Sequence, residues 1–418
     1  MEIAQKIKVP VPKGFWRNIV IFLAVLGPGI ITANVDNDAG GIATYSVAGA
    51  HFGYELLWAV IPVVFALIVV QEMSARMGAV TGKGLADLIR EHFGARITFY
   101  AMLALLITNL GNTMSEFSGV AASLEIFGVS KYISVPASAL MVWLLVVKGT
   151  YKVVEKIFLV ACLFYISYIV SGFLAKPEWA EVGSAMITPD IKFDSLYLYM
   201  LVGVIGTTIA PWQLFYLQSS IVEKGIGIEH FRHSRWDAVI GCVMAGIVVF
   251  FIMVACAATL HPAGIRVEGA ADAALALQPL AGRYCSWLFA FGLFNASIFA
   301  ASVLPLAVAY YVCEGLGFEA GINKTFSEAP QFYGLFTATI LIGMGVVLIP
   351  NFPLFRMMVL SQVVNGIVLP FILVFMIFLI NRRDVMGEFT NGRIWNAVSW
   401  ATAIGVILLS AMLGFSYL

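Results

Sequence analysis

The chain has 418 residues, of which 61% are hydrophobic and only 11% are charged, and its 24 basic residues balance its 24 acidic ones. Soluble domains carry about 25% charged residues, so this composition excludes a soluble protein and indicates a polytopic membrane protein. The zero net charge argues against a nucleic-acid partner. The five cysteines lack the spacing of a metal site or a disulfide framework, which predicts small buried side chains.

Eleven apolar segments are candidates for membrane spans, since a bilayer core about 30 Å thick needs roughly 20 mainly apolar residues per helix. Spans 1 and 6 are each interrupted by polar residues, glycine or proline. In chain order, spans 1 to 11 cover about 18–50, 54–79, 97–126, 134–148, 155–175, 195–223, 236–260, 284–312, 331–350, 355–380 and 395–417.

The basic residues predict the orientation of the chain. With the N-terminus in the cytoplasm, 18 of the 24 basic residues fall in inner segments and six in outer segments. Because inner loops are enriched in lysine and arginine, we expect a cytoplasmic N-terminus and an extracellular C-terminus. The connecting segments are short, so we expect one transmembrane domain over residues 1–418. We also expect a location in the cytoplasmic membrane of a prokaryote, contact with the lipid bilayer and no obligate protein partner.

Span 1 contains a polar, glycine-rich stretch, GPGIITANVDNDAGG, inside an otherwise apolar segment. A carboxylate near the bilayer centre costs roughly 3 kcal/mol or more, so Asp36 and Asp38 together favour a functional site over a simple kink. Unwound backbone at this depth is tolerated only where it faces protein or a water-filled cavity. The sequence therefore predicts a broken helix that carries a polar site.

Span 6 contains Pro211 at its middle, followed by Gln213 and Gln218. Proline removes a backbone donor and clashes with the preceding turn, which predicts a second break. The two breaks lie five spans apart, as expected for two inverted five-helix repeats with a binding site near the bilayer midplane. We place the repeats at about 18–175 and 195–380, with an additional helix at about 395–417.

Two further polar residues lie deep in apolar spans. Glu116 in span 3 shares a helix face with Asn109 and Asn112, and Asn365 lies in span 10 ahead of Pro370. Each has two interpretations, because polar side chains in membranes serve either as ligands or as hydrogen-bonding partners between helices. For Asn365 the sequence does not favour either interpretation.

Nothing in the sequence indicates catalysis. All five histidines fall in loops or at span ends, and no buried nucleophile–base pair, phosphate-binding loop or nucleophile elbow is present. A membrane-embedded hydrolase would need such a pair. We therefore predict that the protein is not an enzyme.

The break in span 1, the inner run ARMGAVTGKGLADLIREHFG, the TIAPW break and the SQVV…LPF segment of span 10 resemble the Nramp family of divalent metal transporters. The resemblance extends over essentially the whole chain. It implies an all-α polytopic membrane protein with the LeuT-like fold, in which unwound helices 1 and 6 hold a metal ion and the protein works by alternating access.

The departures from the family pattern lie at the site. Where the family has DPGN in span 1, this chain has Asp38, Ala39, Gly40 and Gly41, so the aspartate is kept and the asparagine ligand is lost. Where it has MPH in span 6, this chain has alanine, proline and tryptophan. A second family histidine, further along span 6 and associated with proton movement, is replaced by glutamine in our alignment. This pattern resembles the divergent branch of Nramp-related magnesium transporters. The span 6 positions are Ala210, Pro211, Trp212 and Gln218.

The chemistry of these replacements favours Mg²⁺. Loss of the thioether removes the soft ligand that favours transition metals and leaves oxygen donors. Glycine and alanine are also expected to enlarge the cavity, and Mg²⁺ usually keeps several waters and binds one or two carboxylates. We expect Mg²⁺ as the cargo, with poor exclusion of Mn²⁺ and no resident cofactor. The candidate donors are Asp38, Asp36, Glu116, Gln213, Asn365 and the backbone carbonyl of Ala210.

The absence of histidine from the pathway suggests transport without an obligatory proton. Two charges moving inward gain about 4.6 kcal/mol per 100 mV of membrane potential, which can drive uptake alone. Three other transport functions stay open: a proton-coupled Mn²⁺/Fe²⁺ importer, a carrier of organic solutes and a channel. Acidic side chains at the site argue against an anionic organic solute.

Overall fold

The computed structural model describes residues 27–148 and 165–416, together with Lys156 and Val160. Within these residues the chain is helical and contains no β-strand. The helices are α1 Pro28–Asn34, α2 Ala39–Phe52, α3 Val60–Thr81, α4 Leu85–Phe93, α5 Ala95–Glu125, α6 Lys131–Lys148, α7 Ile166–Leu174, α8 Trp179–Ile187, α9 Ser195–Thr208, α10 Pro211–Glu223, α11 Phe231–Thr259, α12 Ala270–Ala274, α13 Gln278–Ala281, α14 Cys285–Leu316, α15 Pro330–Val347, α16 Leu354–Ile380, α17 Arg383–Met386 and α18 Arg393–Ser416.

The membrane spans agree with the predicted threading. Among the described residues, nine helices are long and apolar enough to cross a membrane, and they coincide with spans 2–4 and 6–11. Span 1 is described from Gly27 as α1 and α2, and span 5 contributes α7. The start of span 1 and most of the first half of span 5 lie outside the described residues. Short helices α4 and α8 occupy segments that the sequence analysis treated as connections.

The break in span 1 is present and has a local cause. A 3₁₀ turn at Val35–Asn37 follows α1, and Asp38 is extended before α2 begins. The side chains of Thr32 and Asn34 donate to the carbonyl groups four residues earlier, at 2.6 and 2.8 Å. Such local hydrogen bonds compete with continued helix. The Asp38 carboxylate then caps α2 by accepting from the backbone N–H of Gly41 at 2.6 Å.

The break in span 6 is also confirmed. Helix α9 ends at Thr208, Ala210 adopts an extended conformation, and α10 begins with Pro211. Proline suits the first position of a helix, because the N–H that it lacks has no partner there. The two broken spans are thus each a pair of half-helices.

The spans pack in two groups. Helices α1, α2, α3, α10 and α11, from spans 1, 2, 6 and 7, contact one another. Helices α5, α6, α14 and α15, from spans 3, 4, 8 and 9, form the second group. Members of each group are related by a shift of five spans, as expected for inverted repeats. Helix α18, the additional span, packs against α16, α9 and α3.

The inner end of span 2 carries the local pair expected from its spacing. Arg76 lies 3.1 Å from the Glu72 carboxylate, four residues earlier. The Arg76 guanidinium also donates to the carbonyl of Phe389 at 2.9 Å and to the side chain of Asn391 at 2.5 Å. The segment that precedes α18 is therefore fixed to the end of α3.

Helix α1 is attached to span 7 by an aspartate that the sequence analysis did not single out. Asp237 is fully buried and accepts from the backbone N–H groups of Gly27, Gly29 and Ile30 at 3.1, 2.7 and 3.4 Å. These N–H groups begin α1 and have no partner inside the helix. The carboxylate satisfies them and sets the position of the first half of span 1.

Helices α1 and α11 cross at two glycines, and we expect Gly29→Ala to destabilise the protein. A Cβ at Gly29 would lie 2.5 Å from the Cα of Ala238, and one at Gly241 would lie 2.7 Å from the carbonyl oxygen of Gly29. Because the obstructing atoms are backbone, the helices must separate, at a cost of about 1–3 kcal/mol in the free energy of unfolding. Thermal unfolding in detergent measures the difference.

The matched control is Gly345→Ala in α15, where nothing lies within 4 Å of the new methyl group. Alanine is the better helix former, so this variant should unfold at the wild-type temperature or above. Equal melting temperatures for Gly29→Ala and Gly345→Ala would contradict the close crossing.

Candidate functional site

The two aspartates of span 1 lie at its break and are almost inaccessible to solvent. Asp36 is 2% exposed in the 3₁₀ turn, and Asp38 is 4% exposed at the start of α2. The two carboxyl groups are close enough to repel one another electrostatically. Burial and proximity together make this pair a strong attractor for positive charge.

Glu116 from span 3 joins Asp38 at the N-terminus of α2. Its side chain is fully buried, and its Oε2 accepts from the backbone N–H of Ala39 at 3.2 Å, next to the Asp38 carboxylate that accepts from the N–H of Gly41 in the same turn. Within the described residues, neither carboxyl forms an ion pair with lysine, arginine or histidine. Two adjacent buried carboxylates can both stay charged only beside a cation. Without a cation, one of them must hold a proton.

Asp36 is held from the other side by the second half of span 6. The Nε2 of Gln213 donates to Asp36 Oδ1, and the Nε2 of Gln71 from span 2 donates to Gln213 Oε1 at 2.8 Å. Thr207 in the first half of span 6 donates to the backbone carbonyl of Asp36 at 3.4 Å. The predicted meeting of the two broken spans therefore takes place at Asp36.

Three buried oxygen atoms at the break accept no hydrogen bond from the described residues: Asp36 Oδ2, Glu116 Oε1 and Asn37 Oδ1. The Asn37 Nδ2 donor is likewise without an acceptor among these residues. An unpaired buried polar group costs about 1–3 kcal/mol, and more when it is charged. A cation, with or without its own waters, would satisfy the oxygens.

Asn365 is placed in a cluster of amides between helices. Its Nδ2 donates to Gln362 Oε1 at 2.8 Å and to Asn112 Oδ1 at 3.0 Å, and its Oδ1 accepts from Asn112 at 3.0 Å. Asn112 also donates to Asn109 at 3.0 Å. Of the two interpretations that the sequence left open, this arrangement corresponds to hydrogen bonding between spans 3 and 10.

The glycines after Asp38 permit close approach instead of opening space. A Cβ at Gly41 would meet the backbone carbonyl of Asp36, and one at Gly40 would meet the side-chain amide of Gln362. The expected enlargement of the cavity at Gly41 is therefore not observed in this conformation. The reason is the 3₁₀ turn, which folds the backbone of Asp36 against α2.

The remaining predicted residues of span 6 contact groups other than the carboxyls. The carbonyl of Ala210 accepts from the backbone N–H of Gln213 at 3.2 Å. Trp212 is 2% exposed, and its ring centroid lies 6.2 Å from that of Tyr216. Gln218 donates to the carbonyl of Lys83 at 2.8 Å, in the loop between α3 and α4. Gln218 thus contacts the loop between α3 and α4, whereas Gln213 contacts Asp36.

The site is closed to water in this structure. Two cavities of about 540 and about 840 Å³ are lined by residues at the ends of the spans and their connecting segments, among them Glu55 and Glu268, and not by Asp36 or Asp38. The described residues contain no group of three His, Cys, Asp or Glu side chains arranged to hold a metal ion. The donors available at the break are therefore paired carboxyls, amides, hydroxyls and backbone carbonyls.

Sequence reasoning missed Gln71 and Gln362, which complete the polar lining of the break. Gln71 follows the apolar run ALIVV in span 2, and Gln362 lies three residues before Asn365 in span 10. An uncharged polar residue inside an apolar span was the available signal. Its weakness is that an amide also serves as an ordinary contact between helices.

Comparison with known proteins extends these observations. The chain is 28% identical over 413 residues to a protein of Deinococcus radiodurans named divalent metal cation transporter MntH, covering 95% of this chain and 91% of that one. A solved structure of a manganese transporter from Eremococcus coleocola superposes with a TM-score of 0.80 at 22% identity, covering 96% of this chain and 88% of that one. MHP1, a nucleobase-cation-symport-1 family transporter, superposes with a TM-score of 0.57 at 13% identity, covering 94% of this chain and 92% of that one.

These likenesses confirm the predicted fold class, an all-helical protein with the LeuT-like fold and broken helices in spans 1 and 6. The sequence pattern of the family described as natural resistance-associated macrophage protein-like, or Nramp, matches residues 29–416. The chain therefore belongs to the Nramp family.

Proposed function

We propose that this protein carries a divalent metal cation, Mg²⁺ foremost, across the cytoplasmic membrane into the cell by alternating access. The observation that carries the proposal is the buried carboxyls of Asp38 and Glu116 at the N-terminus of α2, with Asp36 buried two residues earlier in the 3₁₀ turn. Within the described residues, Asp36, Asp38 and Glu116 have no basic partner. Such a group is stable only with positive charge beside it, and a doubly charged ion supplies more of it than a single proton.

The charge of the site argues against the carrier of organic solutes. In the LeuT-like fold, the N-termini of half-helices are suited to hold the carboxylate of a substrate. Here the N-terminus of α2 is already occupied by Asp38 and Glu116. A second anion at this place would be repelled, so a cation is the better substrate.

The donors favour a hard ion that keeps part of its water. Asp36, Asp38, Glu116 and Gln213 present oxygen atoms, and the family's methionine is replaced by Ala210 at the break of span 6. Mg²⁺ binds one or two carboxylates and retains waters, whereas a thioether favours softer metals. The pattern supports a place in the divergent branch of Nramp-related magnesium transporters. Mn²⁺ also accepts oxygen donors, so we propose it as a second cargo.

A proton-coupled Mn²⁺/Fe²⁺ importer is the second candidate. It is favoured by the unpaired Oε1 of Glu116, a carboxyl that could bind a proton beside Asp38. The names of the relatives, a divalent metal cation transporter and a manganese transporter, are consistent with it. Two replacements argue against a proton-coupled importer. The methionine of the family is lost, and the family histidine is replaced by Gln218. We propose transport driven by the membrane potential without an obligatory proton.

The test is ion influx into proteoliposomes that contain a Mg²⁺-sensitive dye or a pH-sensitive dye. We expect saturable Mg²⁺ influx, faster when the lumen is made negative, with no acidification linked to the metal. The driving force changes by about 4.6 kcal/mol per 100 mV for two charges. Mn²⁺ influx with acidification and without Mg²⁺ influx would establish the second candidate instead. Flux that rises linearly with metal concentration would indicate a channel.

A further inference from the structure

A second polar cluster lies where the second half of span 6 meets the loop after span 2 and the end of span 8. Ser219 of α10 donates to Glu314 Oε1 at 2.6 Å, and its neighbour Gln218 donates to the carbonyl of Lys83 at 2.8 Å. The Glu314 carboxyl packs on Gly84, with Oε1 only 2.5 Å from the position that a Cβ would take. Glutamate and glutamine thus lie against the same peptide unit, Lys83–Gly84.

Both long side chains in this cluster have an oxygen atom without a partner. Among the described residues, no donor reaches Oε2 of Glu314 or Oε1 of Gln218, and both atoms are buried. The Gln218 side chain is fully buried. The two oxygens are acceptors, so a proton donor or a cation is the partner that would satisfy them.

The charged groups near Glu314 are of both signs. Asp87 of α4 and Glu223 of α10 are its acidic neighbours. Arg90 of α4 pairs with Asp87 at 3.1 Å and lies against Gly317, three residues after Glu314. In the part of the chain that the structure describes, Glu314 itself forms no ion pair with lysine or arginine, so no basic side chain bonded to it competes with a cation.

One helix connects the two clusters. Helix α10 carries Gln213 at the broken spans, and Gln218 and Ser219 follow five and six residues later. At 1.5 Å per residue, this separation is about 8–9 Å along the helix. The positive-inside orientation puts this end of α10 toward the cytoplasm. The cluster at Gln218 and Glu314 therefore lies on the cytoplasmic side of the broken spans.

We propose that Glu314, with Gln218 and Ser219, forms a second station for a divalent cation, occupied during release to the cytoplasm. The inference rests on the proposed function, since it assigns the exit step of the same transport path. In the closed conformation the Lys83–Gly84 peptide covers the carboxyl. Movement of this loop away from α10 would open the station to an ion arriving from Asp36.

The test uses Mn²⁺ binding to the purified full-length protein in detergent, followed by the electron paramagnetic resonance signal of free Mn²⁺. We expect the wild type to bind Mn²⁺ at a stronger site that contains Asp38 and at a weaker site that contains Glu314. Asp38→Asn should lose the stronger site and keep the weaker one. The double variant D38N/E314Q should lose the weaker site as well. Glu314→Gln alone should keep the stronger site but lower the rate of Mg²⁺ transport about tenfold, because a lost ligand weakens a metal site by about that factor or more.

Two further variants separate the station from a folding defect. Glu314→Asp keeps the charge and should retain the weaker site, with thermal unfolding in detergent confirming that it and E314Q are folded. Glu319→Gln removes an exposed carboxylate five residues later and should change neither binding nor transport. A weaker site that persists in D38N/E314Q, or wild-type transport by E314Q, would overturn the proposal. If neither the wild type nor any variant transports Mg²⁺, but the weaker Mn²⁺ site is lost with Glu314, the proposed function is wrong. The cation site at Glu314 is then still supported.

Discussion

Replacing Asp38 by asparagine is expected to abolish saturable divalent-cation influx while leaving the protein folded. The structural role of Asp38 is to cap α2 by accepting from the N–H of Gly41 at 2.6 Å, and an asparagine side-chain oxygen can accept the same bond. The substitution therefore removes the charge and keeps the cap. We expect transport of Mg²⁺ and Mn²⁺ to fall by about 100-fold or more, since loss of a single supporting group already costs 10- to 100-fold in metal affinity.

The measurement is initial influx in proteoliposomes, with metal binding followed by titration calorimetry in detergent. Asp272→Asn is the matched control, because Asp272 also caps a helix, α12, but belongs to the segment that connects α11 and α14, and its carboxylate accepts from the backbone N–H groups of Glu268 and Gly269. Its influx should equal that of the wild type. Asp38→Asn transport within twofold of the wild type would show that the cation does not depend on this carboxylate, and the proposed site would be wrong.

The location of the site could be predicted from the sequence because its signals are local. Asp36 and Asp38 stand among glycines inside an apolar span, and Pro211 stands alone in another. Each is unfavourable in a continuous membrane helix for reasons that involve only its own chain neighbours. The structure places the breaks at these residues and brings Glu116 to the N-terminus of α2 beside Asp38, whereas the role of Glu116 as a ligand stays a prediction.

The partners of these residues could not be predicted, because they depend on contacts between distant parts of the chain. Asn365 and Asn112 are 253 residues apart, and Gln71 and Gln213 are 142 apart. A side-chain amide in an apolar span can either coordinate an ion or form hydrogen bonds with another amide. The sequence does not decide between these two roles. Asp237 gave no signal, since its partners are backbone N–H groups 207–210 residues away.

The effect of a glycine was equally undetermined by the sequence. Loss of an asparagine side chain at Gly41 frees volume, but either water or backbone can fill it. In this conformation the carbonyl of Asp36 does so. The asparagine side chain that the family resemblance implies at this place is thus replaced by a tighter turn. Carboxylates and amides are then the side-chain donors that we propose.

Replacing Ala210 by methionine is expected to shift selectivity from Mg²⁺ toward softer metals. Ala210 is extended at the break of span 6 and is 2% exposed, directly before Pro211. A thioether at this position restores the ligand type that the family resemblance implies, and thioethers favour soft ions over Mg²⁺. We expect the ratio of Cd²⁺ to Mg²⁺ influx to rise about tenfold, which corresponds to about 1.4 kcal/mol of differential binding.

The control for side-chain volume is Ala210→Leu, which adds comparable bulk without sulfur. If the shift arises from the thioether, the leucine variant should lower the influx of both metals without changing their ratio. A similar change of ratio in both variants would instead indicate that the size of the cavity sets selectivity, since a smaller cavity excludes the more strongly hydrated Mg²⁺. Competition between Mg²⁺ and Cd²⁺ in the same proteoliposomes measures the ratio directly. An unchanged ratio in the methionine variant would show that position 210 does not face the ion.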